Sequence, residues 1–201
     1  ASSRDMLTGN MIACLDEKGQ SYLYTVMYYD DHDRVIQRKS NNRLNGGVEK
    51  DYIAYNFIGQ PTKHKHIHSA AGKATQSEVY SYSYDYADRL QTTTHCLNNG
   101  PVMTLVNNEY DELGRLKHNR RNGQSNLHTN YAYNLRSWTE SISSPLFCET
   151  LYYNDTRSNP TNTRYYNGNI SGMDWSVNGD KKRGYDFSYD NLSRLLYADY
   201  L

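Results

Sequence analysis

Along much of the chain apolar and polar side chains alternate one by one, as in Tyr80-Ser81-Tyr82-Ser83-Tyr84. A period of two marks a half-buried strand. No segment of useful length carries apolar residues at the 3.6-residue helical period. Residues 69–78 include helix formers, but Gly72 and the missing apolar stripe predict a loop or hairpin tip. Residues 154–163, built from Asn, Thr and Ser around Pro160, predict an insertion loop. Asn45-Gly46-Gly47, Asn99-Gly100-Pro101, Asn122-Gly123 and Asn178-Gly179-Asp180 are turn signals between strands. The predicted fold is all-β: an antiparallel meander of repeated β-hairpins forming a curved, open sheet. No linker or shift in composition divides it, so residues 1–201 read as a single array.

The strand ends repeat. Tyr84-Asp85-Tyr86-Ala87-Asp88-Arg89-Leu90, Tyr110-Asp111-Glu112-Leu113-Gly114-Arg115-Leu116 and Tyr189-Asp190-Asn191-Leu192-Ser193-Arg194-Leu195 share one pattern. Tyr29-Asp30-Asp31-His32-Asp33-Arg34-Val35 is a fourth copy. Tyr55-Asn56-Phe57-Ile58-Gly59-Gln60-Pro61 is degraded, and Tyr133-Asn134-Leu135-Arg136-Ser137-Trp138 reads as one residue short. Successive tyrosines lie 26, 29, 26, 23 and 56 residues apart. The double gap predicts a further copy, for which Tyr166-Asn167-Gly168 is the candidate. About seven repeats of 23 to 33 residues result. Within each, Asp caps its own backbone, and Gly or Asp/Asn at the fourth place of the turn tolerates positive φ. The motif tyrosines are expected to stack as neighbours along the sheet. The motif arginines are expected to pair with acidic groups or lie against rings.

Composition explains how such a sequence folds. Mean hydropathy is −0.92, and only 37% of residues are hydrophobic. Taken alone, this would suggest disorder. The chain nevertheless has 21 Tyr against 3 Phe and 2 Trp, and tyrosine buries a ring while keeping its hydroxyl wet. Lys and Arg number 22, as do Asp and Glu, so the net charge is zero. That balance argues against nucleic acid as a partner. No apolar run is long enough for a membrane span, and Ala1-Ser2-Ser3-Arg4-Asp5 does not resemble a signal peptide. Cys14, Cys96 and Cys148 are expected to be buried free thiols. Both ends of an open meander expose unpaired backbone, so an edge-strand homodimer is one expected partner.

The sharpest chemical cluster is His64-Lys65-His66-Ile67-His68. On a strand its three imidazoles share a face, where they could reach one zinc ion. Lys63 and Lys65 crowd the segment with positive charge and argue against a cation. Asp30-Asp31-His32-Asp33 lacks the register of a calcium loop and coincides with the repeat turn. No nucleophile elbow, phosphate-cradling loop or triad spacing occurs. No catalytic residue or cofactor is assigned. The alternative use of exposed Tyr and Arg is a glycan-binding surface.

Tyr-Asp-x-x-Gly-Arg-Leu resembles the signature of YD repeats, found in bacterial Rhs proteins, toxin-complex subunits and animal teneurins. Tyr110 to Leu116 matches at every defined position. Tyr84 to Leu90 and Tyr189 to Leu195 place Asp88 and Ser193 where the signature has Gly. The resemblance runs from about residue 20 onward, and Asn167 to Trp175 is similar in style to Rhs-type proteins of Bacteroidetes. It implies a strip of hairpins spiralling into a hollow shell, which in some members encloses a C-terminal toxin. The shell partners would be the remaining repeats and the C-terminal domain of a secreted or cell-surface parent. Nothing here resembles the Rhs-associated core that closes such shells. The chain is therefore expected to be a wall segment cut from a longer protein.

Overall fold

The structure, a computed structural model, describes residues 5–16, 19–157 and 162–201. Packing divides the chain into two compact units, Ala1–Leu105 and Val106–Leu201. The first holds β1 (Gly9–Asp16), β2 (Gly19–Tyr29), β3 (Val35–Asn41), β4 (Val48–Tyr55), β5 (Pro61–Ser69), β6 (Gln76–Tyr84), β7 (Leu90–Leu97) and the start of β8 (Met103–Tyr110). The second holds the rest of β8, then β9 (Leu116–Arg121), β10 (His128–Tyr133), β11 (Thr139–Ser143), β12 (Phe147–Tyr152), β13 (Gly172–Val177), β14 (Arg183–Tyr189) and β15 (Leu195–Tyr200). One 3-10 turn, Ser125–Leu127, is the only helical element among the described residues. Within each unit every strand pairs antiparallel with its neighbour in sequence. The all-β, open antiparallel meander expected from alternation is the observed fold.

Two kinds of turn alternate, for distinct reasons. The motif turns are type I turns closed by one left-handed residue. In the first, Asp33 N–H donates to Asp30 O at 3.3 Å, and Asp30 N–H donates to Arg34 O at 3.0 Å. The left-handed place falls on Asp33, Gly59, Asp88, Gly114, Ser137 and Ser193 in six copies. Three of the opposite turns use consecutive left-handed residues, at Asn98-Asn99, Asn122-Gly123 and Asn178-Gly179. Residues 70–75 join β5 to β6 as the expected hairpin tip.

Each motif tyrosine closes a strand at a register shift. Tyr28 faces Gln37 but Tyr29 faces Val35, leaving one extra residue on the returning strand. The same shift recurs at Tyr55, Tyr84, Tyr110, Tyr133 and Tyr189. A bulge of this kind re-aims the side chain beside it. The extra residue also corrects the reading of Tyr133 to Trp138. That copy is not short, because Ser137 takes the left-handed place and Trp138 the arginine place.

Among the described residues Tyr153 is the only large apolar side chain that is buried. Most strand positions are half-buried, so these sheets rest on backbone ladders, cross-strand pairs and turn geometry. Cys14 and Cys96 are free but half-buried, and Cys148 is free and exposed. None is a core thiol, because there is little core to enter.

Candidate functional site

The motif forms a joint between successive hairpins. Its aspartate is a clamp. Asp111 Oδ1 accepts the amides of Leu113 (3.0 Å) and Arg115 (2.8 Å), and its Oδ2 accepts Arg115 Nε at 2.7 Å. Asp30 with Arg34, Asp85 with Arg89 and Asp190 with Arg194 repeat the arrangement. All four carboxyls are held below their ordinary value. The Arg89 side chain is the main cause at Asp85, and the Arg194 amide at Asp190. At Asp30 and Asp111 burial pushes upward, and the bonds from Arg34 and Arg115 outweigh it.

The same arginine reaches the next hairpin. Arg34 lies 4.9 Å from the Tyr55 ring centre, and Arg115 lies 4.7 Å from that of Tyr133. Arg115 Nη1 also donates to Asn134 O at 3.2 Å. The tyrosine hydroxyl then donates back to the carbonyl that follows the previous arginine place. Tyr55 bonds Val35 O (3.0 Å), Tyr84 bonds Pro61 O (2.7 Å) and Tyr133 bonds Leu116 O (2.9 Å). Tyr29 reaches Leu7 O in the same way at 2.6 Å. Burial pushes the Tyr84 and Tyr133 hydroxyls up.

The expected ring-on-ring ladder is therefore corrected. Among the described residues no ring contact joins Tyr29, Tyr55, Tyr84, Tyr133 and Tyr189 to one another. Successive hairpins lie two strands apart, about 10 Å, too far for stacked rings. A guanidinium fills the gap. Where the arginine is Gln60, its Nε2 donates to Asp88 O at 2.7 Å. Where it is Trp138, the indole packs on Tyr153 at 5.0 Å.

Tyr153 is also the missing copy. Its hydroxyl donates to Thr139 O at 3.0 Å, the bond that Tyr29, Tyr55, Tyr84 and Tyr133 make. Tyr166-Asn167-Gly168 keeps only the local turn, in which Asn169 N–H donates to Asn167 Oδ1 at 3.1 Å. Its tyrosine is exposed and ends no strand. The connection after Tyr153 contains the predicted 154–163 loop, of which 158–161 lie outside the described residues.

Sequence reasoning missed the chemistry of that connection. Arg157 is buried and pairs with Asp174 and, at 2.6 Å, with Asp186. Asp174 also accepts Tyr152 Oη at 3.0 Å and Lys182 Nζ at 2.6 Å. Gly184 leaves the room, since a Cβ there would lie 2.6 Å from Asp174 Oδ1 and meet Arg157. The signal available in sequence was the pair of glycines, Gly172 and Gly184, facing strands that carry Asp174 and Asp186.

The histidine segment is the second polar cluster. His64, His66 and His68 share a face of β5, and Lys63 and Lys65 point to the other, so the expected crowding by lysine does not occur. Their neighbours are carboxylates on β4. Asp51 Oδ1 accepts His64 Nε2 at 3.0 Å and His66 Nδ1 at 2.9 Å. Glu49 Oε1 accepts His68 Nδ1 at 2.7 Å, and its Oε2 lies 3.2 Å from His66 Nε2. Arg38 Nε reaches Asp51 Oδ2 at 3.1 Å. Burial pushes both carboxyls up. Bonds from His66 and His64 to Asp51, and from Asn42 and His68 to Glu49, outweigh it and leave both lowered. On β6 and β7, Tyr80 stacks against His64 and packs on His95. The imidazoles are thus engaged in a ladder of carboxylate contacts. Among the described residues the group of metal-type donors gathered within 4.8 Å is instead Asp30, Asp31 and His32, where Asp30 already closes its turn.

No family model matches the chain. No curated protein matches it either. Among solved structures, the crystal structure of TcdB2-TccC3-Cdc42 is similar over 92% of this chain, with a TM-score of 0.44 and 11% identity. The chain spans 11% of the length of the chain it matches there. No helix among the described residues is long and apolar enough to cross a membrane.

Proposed function

We propose that the chain is a structural segment of the YD-repeat, Rhs type: part of the wall of a larger secreted or cell-surface protein, without catalysis of its own. The joint carries this reading. Asp clamp, Arg over the next Tyr and Tyr hydroxyl on the previous carbonyl form one device, complete at Arg34–Tyr55 in the first unit and Arg115–Tyr133 in the second and kept in part at other joints. Such a device fixes the step from one hairpin to the next and leaves the motif side chains engaged with each other. One polar groove fits the same reading. It is lined by Asn107, Glu109, His118, Asn119, Arg120, His128 and Asn130, holds about 260 Å³ and contains no Tyr, Trp or Phe ring.

A wall has two inequivalent faces. The test places single cysteines on β5 at Lys65 and at Ile67 for one face, and at His66 for the other, in the parent protein with its native cysteines replaced. A bulky maleimide is expected to label one face quickly and the other slowly. Equal labelling of both faces would defeat the proposal.

A further inference from the structure

Two histidines of the second unit are held differently from those of β5. His118 on β9 donates from Nδ1 to Asn130 Oδ1. His128, which opens β10, donates from Nδ1 to Ser125 O in the 3-10 turn. Each bond fixes its ring in one tautomer, with the lone pair on Nε2. Among the described residues neither Nε2 has a protein partner. On β5, by contrast, Asp51 and Glu49 take up His64, both nitrogens of His66, and His68. Cross-strand register brings the two unengaged nitrogens to one groove of about 260 Å³. His118 faces Asn130 on one side and Glu109 of β8 on the other, and His128 lies two residues before Asn130. The three donors therefore share a face. Opposite Cβ atoms lie about 5 Å apart and diagonal ones about 7–8 Å, a span that these side chains can bridge through one ion. Glu109 is exposed, and its carboxylate makes no hydrogen bond or ion pair among the described residues.

We propose that this groove is a site for one zinc-class divalent ion, held by His118 Nε2, His128 Nε2 and the Glu109 carboxylate. Two imidazoles and a carboxylate are a donor set that suits zinc. Histidines that bind metal almost always donate their other ring N–H to a carbonyl or carboxylate. Asn130 and Ser125 supply those carbonyls. The Asp30, Asp31 and His32 group has its donors within 4.8 Å of one another, but both Asp30 oxygens are committed to closing their turn. The groove donors are not gathered that closely, so loading turns the exposed Glu109 side chain inward. Arg120 is the one permanent cation lining the groove, and it faces His128. It opposes the ion, and being exposed it can withdraw into solvent. A bound ion would tie β8, β9 and β10 together. Three protein ligands leave one tetrahedral position open. The site stands whether or not the chain is part of a wall.

The test uses the whole chain, stripped with a chelator and titrated with zinc chloride by calorimetry and with cobalt(II) by visible absorption. One ion per chain, the absorption of four-coordinate cobalt and a melting temperature raised by zinc are expected. Asn130→Ala, which releases the His118 ring, should weaken zinc binding about tenfold. His118→Gln and His128→Gln should each weaken it further. Arg120→Gln should tighten it by removing the opposing charge. A variant carrying His64→Gln, His66→Gln and His68→Gln together should bind zinc like the unaltered chain. Metal-free melting curves check that each variant folds, and the exposed Arg120 position keeps one variant clear of the packing. A folded chain that takes up no zinc, or only several ions weakly, would overturn the proposal. Binding that survives both His118→Gln and His128→Gln would do the same. Loss of binding in the triple β5 variant would assign the ion to Asp51 and Glu49 and overturn it too.

Discussion

The guanidinium of Arg115 lies over the ring of Tyr133, 4.7 Å from its centre, while its Nε holds Asp111 at 2.7 Å. One side chain thus closes its own turn and binds the next hairpin. Replacing it with Ala should cost about 2–3 kcal/mol, the sum expected of a charge-assisted bond and a cation–π contact. Lysine should rescue little of this, because a point ammonium cannot fork to Asp111 and lie flat on a ring at once. Urea denaturation of the two variants checks both statements.

Tyr133→Phe isolates the other half of the joint. The ring remains for Arg115, but Leu116 O loses its donor. The expected loss is about 1 kcal/mol. A neutral result would mean that water replaces the hydroxyl freely.

The left-handed place in the motif turn predicts opposite signs at two positions. Gly114 has φ +82°, and Asp33 has φ +59°. Gly114→Val should destabilise by about 1–2 kcal/mol, the cost of a side chain in left-handed backbone. Asp33→Gly should be neutral to mildly stabilising, since relief of that cost is offset by the entropy of glycine in the unfolded chain. Thermal melts of the pair decide it.

The legible part of the fold was its periodicity. Tyr84, Tyr110 and Tyr189 could be found because their turns keep Asp and Arg at fixed offsets. Tyr153 could not, because the connection after it is long and keeps neither Asp nor Arg at those offsets; its Arg157, one residue early, is aimed at Asp174. Trp138 made the Tyr133 copy read as one residue short for a related reason: a ring does there what a guanidinium does elsewhere. The histidine cluster was half visible. Alternation put His64, His66 and His68 on one face, but its partners Glu49 and Asp51 come from cross-strand register, which sequence spacing does not state.

Acid should act on the first unit through Asp51 and Glu49. Both carboxyls are lowered in the folded chain, from ordinary values of 3.8 and 4.5. A lowered group stabilises above its ordinary value, and that contribution is lost as pH falls through the folded value. The turn aspartates Asp30 and Asp85 act with the same sign. Stability should hold to about pH 5 and decline toward about pH 3. In an Asp51→Asn variant the decline should be shallower, and stability at neutral pH lower. Denaturant midpoints measured across that range test it. An Asp51→Asn variant with an unchanged acid limb would remove Asp51 from the account.

Arg157 carries the strongest stability prediction. Its side chain is 6% exposed, and it faces Asp174 at 4% and Asp186 at 15%. Removing the cation leaves two carboxylates facing each other with little water, so Arg157→Met should cost about 3–5 kcal/mol in the second unit. Lys182 tempers the loss, because its exposed ammonium already holds Asp174 Oδ2 at 2.6 Å. The cost arises from uncompensated charge. Adding Asp174→Asn and Asp186→Asn to Arg157→Met should therefore recover much of it. Gly184→Ala reaches the same network without changing charge. Its Cβ would meet Arg157 and lie 2.9 Å from Met173 O, so it should destabilise the same unit while the charged residues stay in place. If the triple variant is no more stable than Arg157→Met alone, the cluster matters for packing and the electrostatic argument fails.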